Sequence, residues 1–288
     1  MTVAATPTRS AVALRNGVRQ ASIEMRSVLR GGGILGYLVM PAIMLGFVFF
    51  GRNDVLDGTD ITFAEYVLPS FLAALLVISG FTGPASDLMS EREDGSLLRM
   101  KSIPDGLRGY VFGKTLSMLL TNIGTLLVAF IPAAILVPQI LPDNAAGWIR
   151  AAAFIVLGLT ASIPIGIAIG SIVRTSMDLV VPMLVVYGLL FISGVFGSAA
   201  AMPTWLQGIA KIFPMYWLGL GLRSAFLPAE AAVIEIGGSW PVLEAVAVLS
   251  VWSIVGLVLA PILLRRMIRG VSGSSVNDAR ERMLARGY

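Results

Sequence analysis

Long stretches without Asp, Glu, Lys or Arg dominate the pattern of the chain. Six of them are long enough to cross a membrane as a helix, because about 20 apolar residues span the hydrocarbon core. Shorter segments between them carry nearly all of the charge. The pattern predicts an all-α, polytopic membrane protein with six transmembrane helices, at residues 31–51, 66–86, 115–137, 151–173, 179–197 and 243–264.

Two of the uncharged stretches are longer than one helix needs. The stretch Thr115–Pro142 has three prolines near its end, which favours an early helix end. The stretch Leu179–Ala210 is too long for one span and too short for two. Gly194 and Gly197 predict a first stop within it.

Arginine and lysine are unevenly distributed between the two sets of loops. With both termini inside, 17 of the 21 basic residues lie on the inner side. Loops rich in Lys and Arg remain in the cytoplasm. The sequence therefore predicts a multi-pass plasma-membrane protein with cytoplasmic termini. Residues 1–30 are expected to form an amphipathic helix at the inner membrane surface, and residues 265–288 a basic cytoplasmic tail.

The composition narrows the classes of function. Hydrophobic residues make up 56% of the 288 residues and charged residues 13%, which excludes an ordinary soluble enzyme. There is no cysteine or histidine, so we expect no disulfide, no cysteine–histidine metal site and no histidine proton relay. The pI near 9.7 follows from the basic inner loops. No nucleic-acid-binding motif accompanies it, and no nucleic-acid partner is expected.

Residues 109–115 partly match the sequence motif of a phosphate-binding loop. That motif needs four residues between its glycines, whereas Gly109 and Gly113 are separated by three. The segment also enters a membrane span instead of following a strand. We therefore exclude nucleotide binding here and interpret Lys114 as a charge at the cytoplasmic boundary of the third span.

The predicted loop 87–114 carries five acidic and five basic residues. An acidic cluster is followed by apolar Leu97, Leu98 and Met100 and by a turn at residues 104–106. Two interpretations remain open for this loop. It is either a short amphipathic element that docks on a partner or a solvated charged hairpin.

The segment 198–227 is predicted to enter the outer leaflet without crossing it. Its uncharged stretch Ile212–Leu222 has 11 residues, about half of what a bilayer needs. Trp205, Tyr216 and Trp217 are suited to an aromatic belt at the membrane surface. We expect a re-entrant helical hairpin here, with an ordinary surface loop as the alternative.

Motifs in these two segments resemble the permease subunits of type-2 ABC exporters. These are multidrug, antibiotic and lipid or polysaccharide exporters with a separate ATPase. The first motif runs Glu91-Arg92-Glu93-x-Gly95-Ser96-Leu97, followed by Pro104 and Gly113-Lys114. The second runs Met202-Pro203-x-Trp205-Leu206, through Pro214-x-Tyr216, to Leu222-Arg223. With the six-span order, the resemblance covers nearly the whole chain, and the long outer segment is more similar to the drug and lipid branch.

The resemblance implies roles for particular residues. An ATPase-coupling loop that fits a groove on the ATPase would contain Glu91, Arg92, Glu93, Asp94, Gly95, Leu98 and Pro104. The outer re-entrant hairpin would include Pro203, Trp205, Pro214, Tyr216 and Arg223. Leu220 stands where the family commonly has an acidic residue, so the salt bridge that the family forms at Arg223 is not implied for this chain.

No charged residue lies clearly inside a predicted span, and the spans contain few polar groups. Ion-coupled carriers usually need intramembrane ionisable residues. Asn122 is the most costly polar group to bury, and it is expected either to bond between helices or to contact cargo. A largely apolar wall suits a hydrophobic or amphipathic cargo. The translocation-pathway candidates are Phe47, Phe71, Phe81, Asn122, Phe191 and Phe196.

These observations favour the permease subunit of an ATP-driven exporter, which is not itself an enzyme. No catalytic residue and no cofactor is expected on this chain. Two copies of a separate ATPase would bind ATP and Mg, and a second permease chain, identical or related, would complete the conduit within membrane lipid. The alternatives are a stand-alone secondary transporter or channel, which lacks support from intramembrane charge, and a membrane-embedded enzyme, which lacks clustered catalytic groups.

Overall fold

The computed structural model describes residues 34–56, 59–93, 106–142, 144–173, 175–195 and 197–270. This part of the chain is helical and contains no β-strand; Val55 and Thr62 form an isolated antiparallel bridge. The all-helical prediction is therefore confirmed for these residues. The predicted N-terminal helix 1–30 and the tail beyond residue 270 lie outside them.

Eight α-helices follow one another in the described ranges. They are α1 Ile34–Phe50, α2 Phe63–Glu93, α3 Gly106–Leu136, α4 Ala145–Ile172, α5 Val180–Phe191, α6 Thr204–Ile212, α7 Pro214–Phe226 and α8 Val242–Gly270. Short 3-10 turns lie at Pro138–Ile140, Ser176–Leu179, Ala199–Ala201 and Ala229–Ile234.

Four of these helices are long and apolar enough to cross a membrane. The spans are Phe63–Arg92, Gly113–Leu136, Ala145–Ile172 and Val242–Arg269. Helices α1 and α5 are apolar but shorter, and they occupy the predicted first and fifth spans. The chain is therefore a polytopic membrane protein, and its six-span count stays a prediction.

The helix ends differ from the predicted ranges because polar residues continue some helices. Helix α2 extends to Glu93, although a loop was predicted from residue 87. Helix α3 begins at Gly106, well before the predicted start at residue 115. Helix α5 ends at Phe191, and Gly194 follows with a φ of +82°, a conformation that favours glycine and ends the helical path.

Local sequence signals set several helix starts. Thr62 and Glu65 exchange hydrogen bonds at the start of α2, which satisfies backbone donors that a helix start leaves unpaired. Thr175 and Asp178 do the same in the turn before α5. The Asn144 side chain caps α4 by accepting a first-turn backbone N–H at 2.8 Å.

Helices α2 and α4 form the centre of the bundle and approach each other closely. A Cβ on Gly166 would lie 2.7 Å from the carbonyl oxygens of Gly80 and Phe81. A Cβ on Gly170 would lie 2.8 Å from the Cα of Ala85. Small residues therefore allow the two backbones to touch, as is common between membrane helices.

The other helices pack around this central pair. Helix α8 lies along α4, and α7 packs against α2, α4 and α8. Helices α1, α3 and α5 lie at the periphery, and α5 makes few contacts beyond its own preceding turn. Large apolar side chains are exposed on these outer faces, among them Phe50, Ile135, Val181 and Leu184. Such faces are suited to contact with lipid tails.

Candidate functional site

At the predicted cytoplasmic end of the bundle, here called the inner end, Lys114 joins α3 to α2. Its Nζ lies 2.6 Å from Asp87 Oδ2 and 3.0 Å from Glu91 Oε1. Asp87 and Glu91 are four residues apart, so they share one face of α2. The Lys114 side chain is only 4% exposed. It is therefore a buried link between helices, and we name these three residues the inner clamp.

Two neighbours extend the inner clamp. Arg92 Nη1 donates a hydrogen bond of 3.1 Å to the carbonyl oxygen of Val173, the C-terminal cap of α4. Tyr110 lies one turn before Lys114 and is buried. Burial, followed by the nearby Glu91 carboxylate, raises the pKa of the Tyr110 hydroxyl and keeps it neutral. The inner ends of α2, α3 and α4 are thus bonded together.

The predicted coupling loop overlaps the last turn of α2, where Glu91 and Arg92 bond to α3 and α4, and continues beyond it. Glu91 and Arg92 lie in the last turn of α2 and bond within the chain. Glu93 is the last residue of α2. Asp94, Gly95, Leu98 and Pro104 lie outside the described residues. The docking role of this loop therefore stays a prediction.

At the opposite end, here called the outer end, a second buried ion pair joins Arg223 of α7 to Glu235. Arg223 Nε donates to Glu235 Oε1, and the two side chains are 0% and 1% exposed. Arg223 Nη1 also donates to Ser70 Oγ at 3.2 Å and to the Gly194 carbonyl oxygen at 3.4 Å. Sequence reasoning missed this partner of Arg223, because Glu235 lies twelve residues further on, beyond the end of α7.

Tyr66 of α2 completes this outer cluster. Its hydroxyl donates to the carbonyl oxygens of Gly194 and, at 2.8 Å, Gly197. The Arg223 guanidinium lies 5.6 Å from the centre of its ring, within the range of a cation–π interaction. We name Arg223, Glu235, Ser70 and Tyr66 the outer hub. It connects α2 and α7 to the segment that follows α5.

The segment predicted as a re-entrant hairpin contains two short helices. Pro203 directly precedes α6, and Pro214 is the first residue of α7, the position that proline favours. Trp205 is 67% exposed, whereas Tyr216 and Trp217 are buried. The expected aromatic belt is therefore wrong for these last two residues, because both pack inside the protein.

The structure does not bring the predicted pathway aromatics to one surface. Phe71 and Phe81 are buried, whereas Phe47 and Phe191 are exposed. The Phe47 and Phe71 ring centres are 6.4 Å apart. Phe196 lies outside the described residues. A pathway role for these side chains stays a prediction.

Asn122 bonds within and between helices. Its Nδ2 donates to the Met118 carbonyl oxygen at 2.8 Å, and its Oδ1 accepts a hydrogen bond from Ser79 Oγ of α2. Of the two interpretations of Asn122, this geometry agrees with the interhelical hydrogen bond.

A cleft of about 510 Å³ opens at the outer end between α2, α4, α7 and the residues that follow α3. Charged residues of both signs line it: Asp60, Glu65 and Arg150. Arg150 Nη1 donates to the Ser224 carbonyl oxygen at 2.6 Å. Sequence reasoning missed this cleft because its charged residues are far apart in the chain.

Comparison with known proteins agrees with this architecture. Residues 52–262 match the family model described as ABC-2 family transporter protein, which covers most of the chain, including all of α2 to α7. A search of curated proteins found no significant match. From the extent of the family match we conclude that the chain belongs to the ABC-2 family of transporter proteins.

Proposed function

We propose that the chain is the permease subunit of an ABC exporter powered by a separate ATPase. The cargo would be a hydrophobic or amphipathic small molecule, such as a drug, an antibiotic or a lipid. It would move outwards across the plasma membrane. Family membership makes the chain a membrane transport component that associates with an ATPase and is not itself catalytic.

One observation carries the assignment of the ATPase contact. Residues 87–114 are the only dense mixed-charge stretch near the middle of the sequence, and residues 94–105 within it connect α2 to α3. Both helices are long enough to cross the membrane, and Lys114 bonds them together beside the loop. An ATPase bound to residues 91–104 would therefore act directly on α2 and α3.

The nature of the cargo is inferred from the apolar spans. Proton- or ion-coupled carriers place ionisable groups within their spans. In the described spans, the ionisable side chains lie near helix ends: Glu65, Asp87, Glu91 and Lys114 are examples. An apolar pathway favours an apolar or amphipathic cargo, and ATP with Mg on the partner ATPase would supply the energy.

The assembly we propose has two permease chains, identical or related, and two ATPase subunits. In this arrangement α1 and α5 are the first and fifth of six spans, both termini are cytoplasmic, and α6 and α7 form the outer re-entrant hairpin. The 9 residues of α6 and 13 of α7 are too few for either helix to cross a bilayer, for which about 20 are needed.

Co-purification with the ATPase tests the proposal. The chain is co-expressed with an ATP-binding-cassette ATPase, taken first from the neighbouring reading frame. The docking variant is Glu93→Lys with Asp94→Lys, because Glu91 is already paired with Lys114 and its replacement would also break the inner clamp. We expect the wild-type chain to retain the ATPase and the variant to lose it.

The matched control reverses the same number of charges at the outer end of the bundle. Asp54→Lys with Glu230→Lys changes two exposed acids and should leave the ATPase bound. Retention of the ATPase by the docking variant would show that the contact lies elsewhere. Solute movement by the purified chain without any ATPase would favour the alternative, a stand-alone secondary transporter or channel.

A further inference from the structure

Helices α2 and α3 carry the proposed ATPase contact, but they are not extensively packed on each other. Along most of its length α2 packs on α4, and its contact with α3 is much smaller. A displacement of the loop between α2 and α3 would therefore tend to separate these helices unless something holds their inner ends.

The inner clamp is placed to prevent that separation. Lys114 of α3 contacts Asp87 and Glu91 of α2 at 2.6 and 3.0 Å. Asp87 and Glu91 occupy the last two turns of α2, immediately before the loop. The lysine is buried, so the ion pairs are screened less by water than surface pairs are. Any motion of the loop reaches both helices through the clamp.

The next contact leads from α2 to α4. Arg92, the neighbour of Glu91, donates its hydrogen bond of 3.1 Å to the Val173 carbonyl oxygen at the inner end of α4. A helix end leaves such a carbonyl without a helical partner, so this bond joins the C-terminal end of α2 to the C-terminal end of α4. Helix α4 in turn packs along α8 and α7, and α7 carries Arg223 of the outer hub.

We propose that Lys114 is a positioning residue that couples the ATPase-driven movement of the loop to α2, α3 and α4 as one unit. Asp87 and Glu91 hold it on α2, and Arg92 extends the coupling to α4. Without Lys114, the loop moves α3 independently, and α2 and α4 move less relative to α8. This inference rests on the proposed function, since it requires an ATPase that moves the loop.

Distances between pairs of spin labels test this coupling without knowledge of the cargo. The chain has no cysteine, so introduced cysteines are its sole labelling sites, and it is labelled before the ATPase is added. Gly113→Cys with Ile172→Cys reports the distance between the inner ends of α3 and α4; a Cβ at Gly113 meets nothing within 4 Å, and Ile172 is exposed. Ser90→Cys with Arg266→Cys, both exposed, reports the distance between α2 and α8.

Each pair is measured in the full complex with the ATPase, without nucleotide and after trapping with ATP and vanadate. With Lys114 present, we expect the α3–α4 distance to remain constant and the α2–α8 distance to change. With Lys114→Met, we expect the α3–α4 distance to change and the α2–α8 change to fall by roughly half or more. Lys114→Arg should preserve the wild-type behaviour, because it retains the charge.

Two further variants separate coupling from folding. Lys211→Met removes an exposed cation at the outer end and should behave as wild type. If Lys114→Met fails to fold, the triple variant Asp87→Asn, Glu91→Gln, Lys114→Met is measured in its place, because it leaves no unpaired charge at the inner clamp. Its α3–α4 and α2–α8 distances should change as expected for Lys114→Met.

The outcomes distinguish the inference from the proposed function. If Lys114→Met or its neutral replacement binds the ATPase and gives wild-type distance changes in both pairs, the coupling role of Lys114 is wrong. If the wild-type chain binds no ATPase, or trapping changes neither distance in it, the proposed function itself is wrong, and the coupling role is overturned with it.

Discussion

Arg223 and Glu235 form an ion pair that is almost completely removed from solvent, with side-chain exposures of 0% and 1%. The pair lies where α2, α7 and the segment after α5 meet. Removing both charges from water is costly, and mutual attraction with further hydrogen bonds must offset that cost. Ser70 and the Gly194 carbonyl supply such bonds to Arg223. The outer end of the bundle therefore depends on a polar contact.

Loss of one partner from this ion pair should be strongly destabilising. We expect Glu235→Gln to lower the free energy of unfolding by about 3–5 kcal/mol, because it leaves the Arg223 guanidinium buried without a countercharge. The thermal unfolding midpoint in detergent measures this effect. Glu230→Gln, an exposed acid nearby, is the control. The double change Arg223→Met with Glu235→Leu should recover most of the loss, and equal midpoints for both single variants would contradict the prediction.

The hydroxyl of Tyr66 should contribute a smaller stabilisation. Tyr66→Phe removes the hydroxyl whose single proton is shared between the Gly194 and Gly197 carbonyl oxygens and should cost about 0.5–1.5 kcal/mol, the usual contribution of one hydrogen bond. Hydrogen exchange of residues 194–199 should accelerate. Tyr187→Phe changes an exposed ring on α5 and should alter neither quantity. Unchanged exchange in Tyr66→Phe would show that its hydroxyl does not hold this segment.

One glycine should tolerate a methyl group and another should not. Gly166→Ala places a Cβ 2.7 Å from two backbone carbonyl oxygens of α2, so α2 and α4 must separate, at a cost of about 1–3 kcal/mol. Gly188→Ala on α5 meets nothing within 4 Å and should be neutral or slightly stabilising, because alanine favours a helix. Unfolding midpoints of the two variants measure the difference. A harmless Gly166→Ala would contradict the close contact.

A double-mutant cycle tests the role of Asn122. Asn122→Ala, Ser79→Ala and the double variant should show a coupling free energy of about 0.6 kcal/mol, and at most about 1.7 kcal/mol, as interhelical hydrogen bonds in membranes do. Reversible unfolding in mixed micelles measures the three differences. If the coupling is zero while Asn122→Ala alone alters cargo-stimulated ATPase activity, Asn122 contacts the cargo instead of stabilising the bundle.

The positions of the helices could be predicted from hydrophobicity, but some of their ends could not. Each of the six predicted spans overlaps a described α-helix, because a helix satisfies its own backbone hydrogen bonds over an apolar stretch. Four of these helices are long enough to cross a membrane. Asp87 and Glu91 were assigned to a loop because charge usually marks the end of a span. In the structure they continue α2, since Lys114 neutralises them from the next helix. Such pairing depends on tertiary contact and leaves no local pattern.

The candidate sites show the same limit. Arg223 was identified from the sequence as a residue of the outer hairpin, but its partner Glu235 was not. Ion pairs within a helix join residues three or four apart, whereas these two residues are twelve apart. Tyr216 and Trp217 were placed at the membrane surface from residue type alone, although both are buried. The short α6 and α7 were correctly expected to be helical, since Pro203 and Pro214 mark their starts.

The outer cleft leads to an expectation for the depth of α4 in the bilayer. Arg150 is the sixth residue of this helix, and a guanidinium at the centre of the hydrocarbon would cost about 2.5–3.5 kcal/mol. Because Arg150 lines the cleft, water there can hydrate it. The remaining residues, 151–172, rise about 33 Å at 1.5 Å each, close to the hydrocarbon thickness of about 30 Å. We therefore expect the first turn and a half of α4 to lie among the lipid headgroups, with Arg150 setting the depth of the helix.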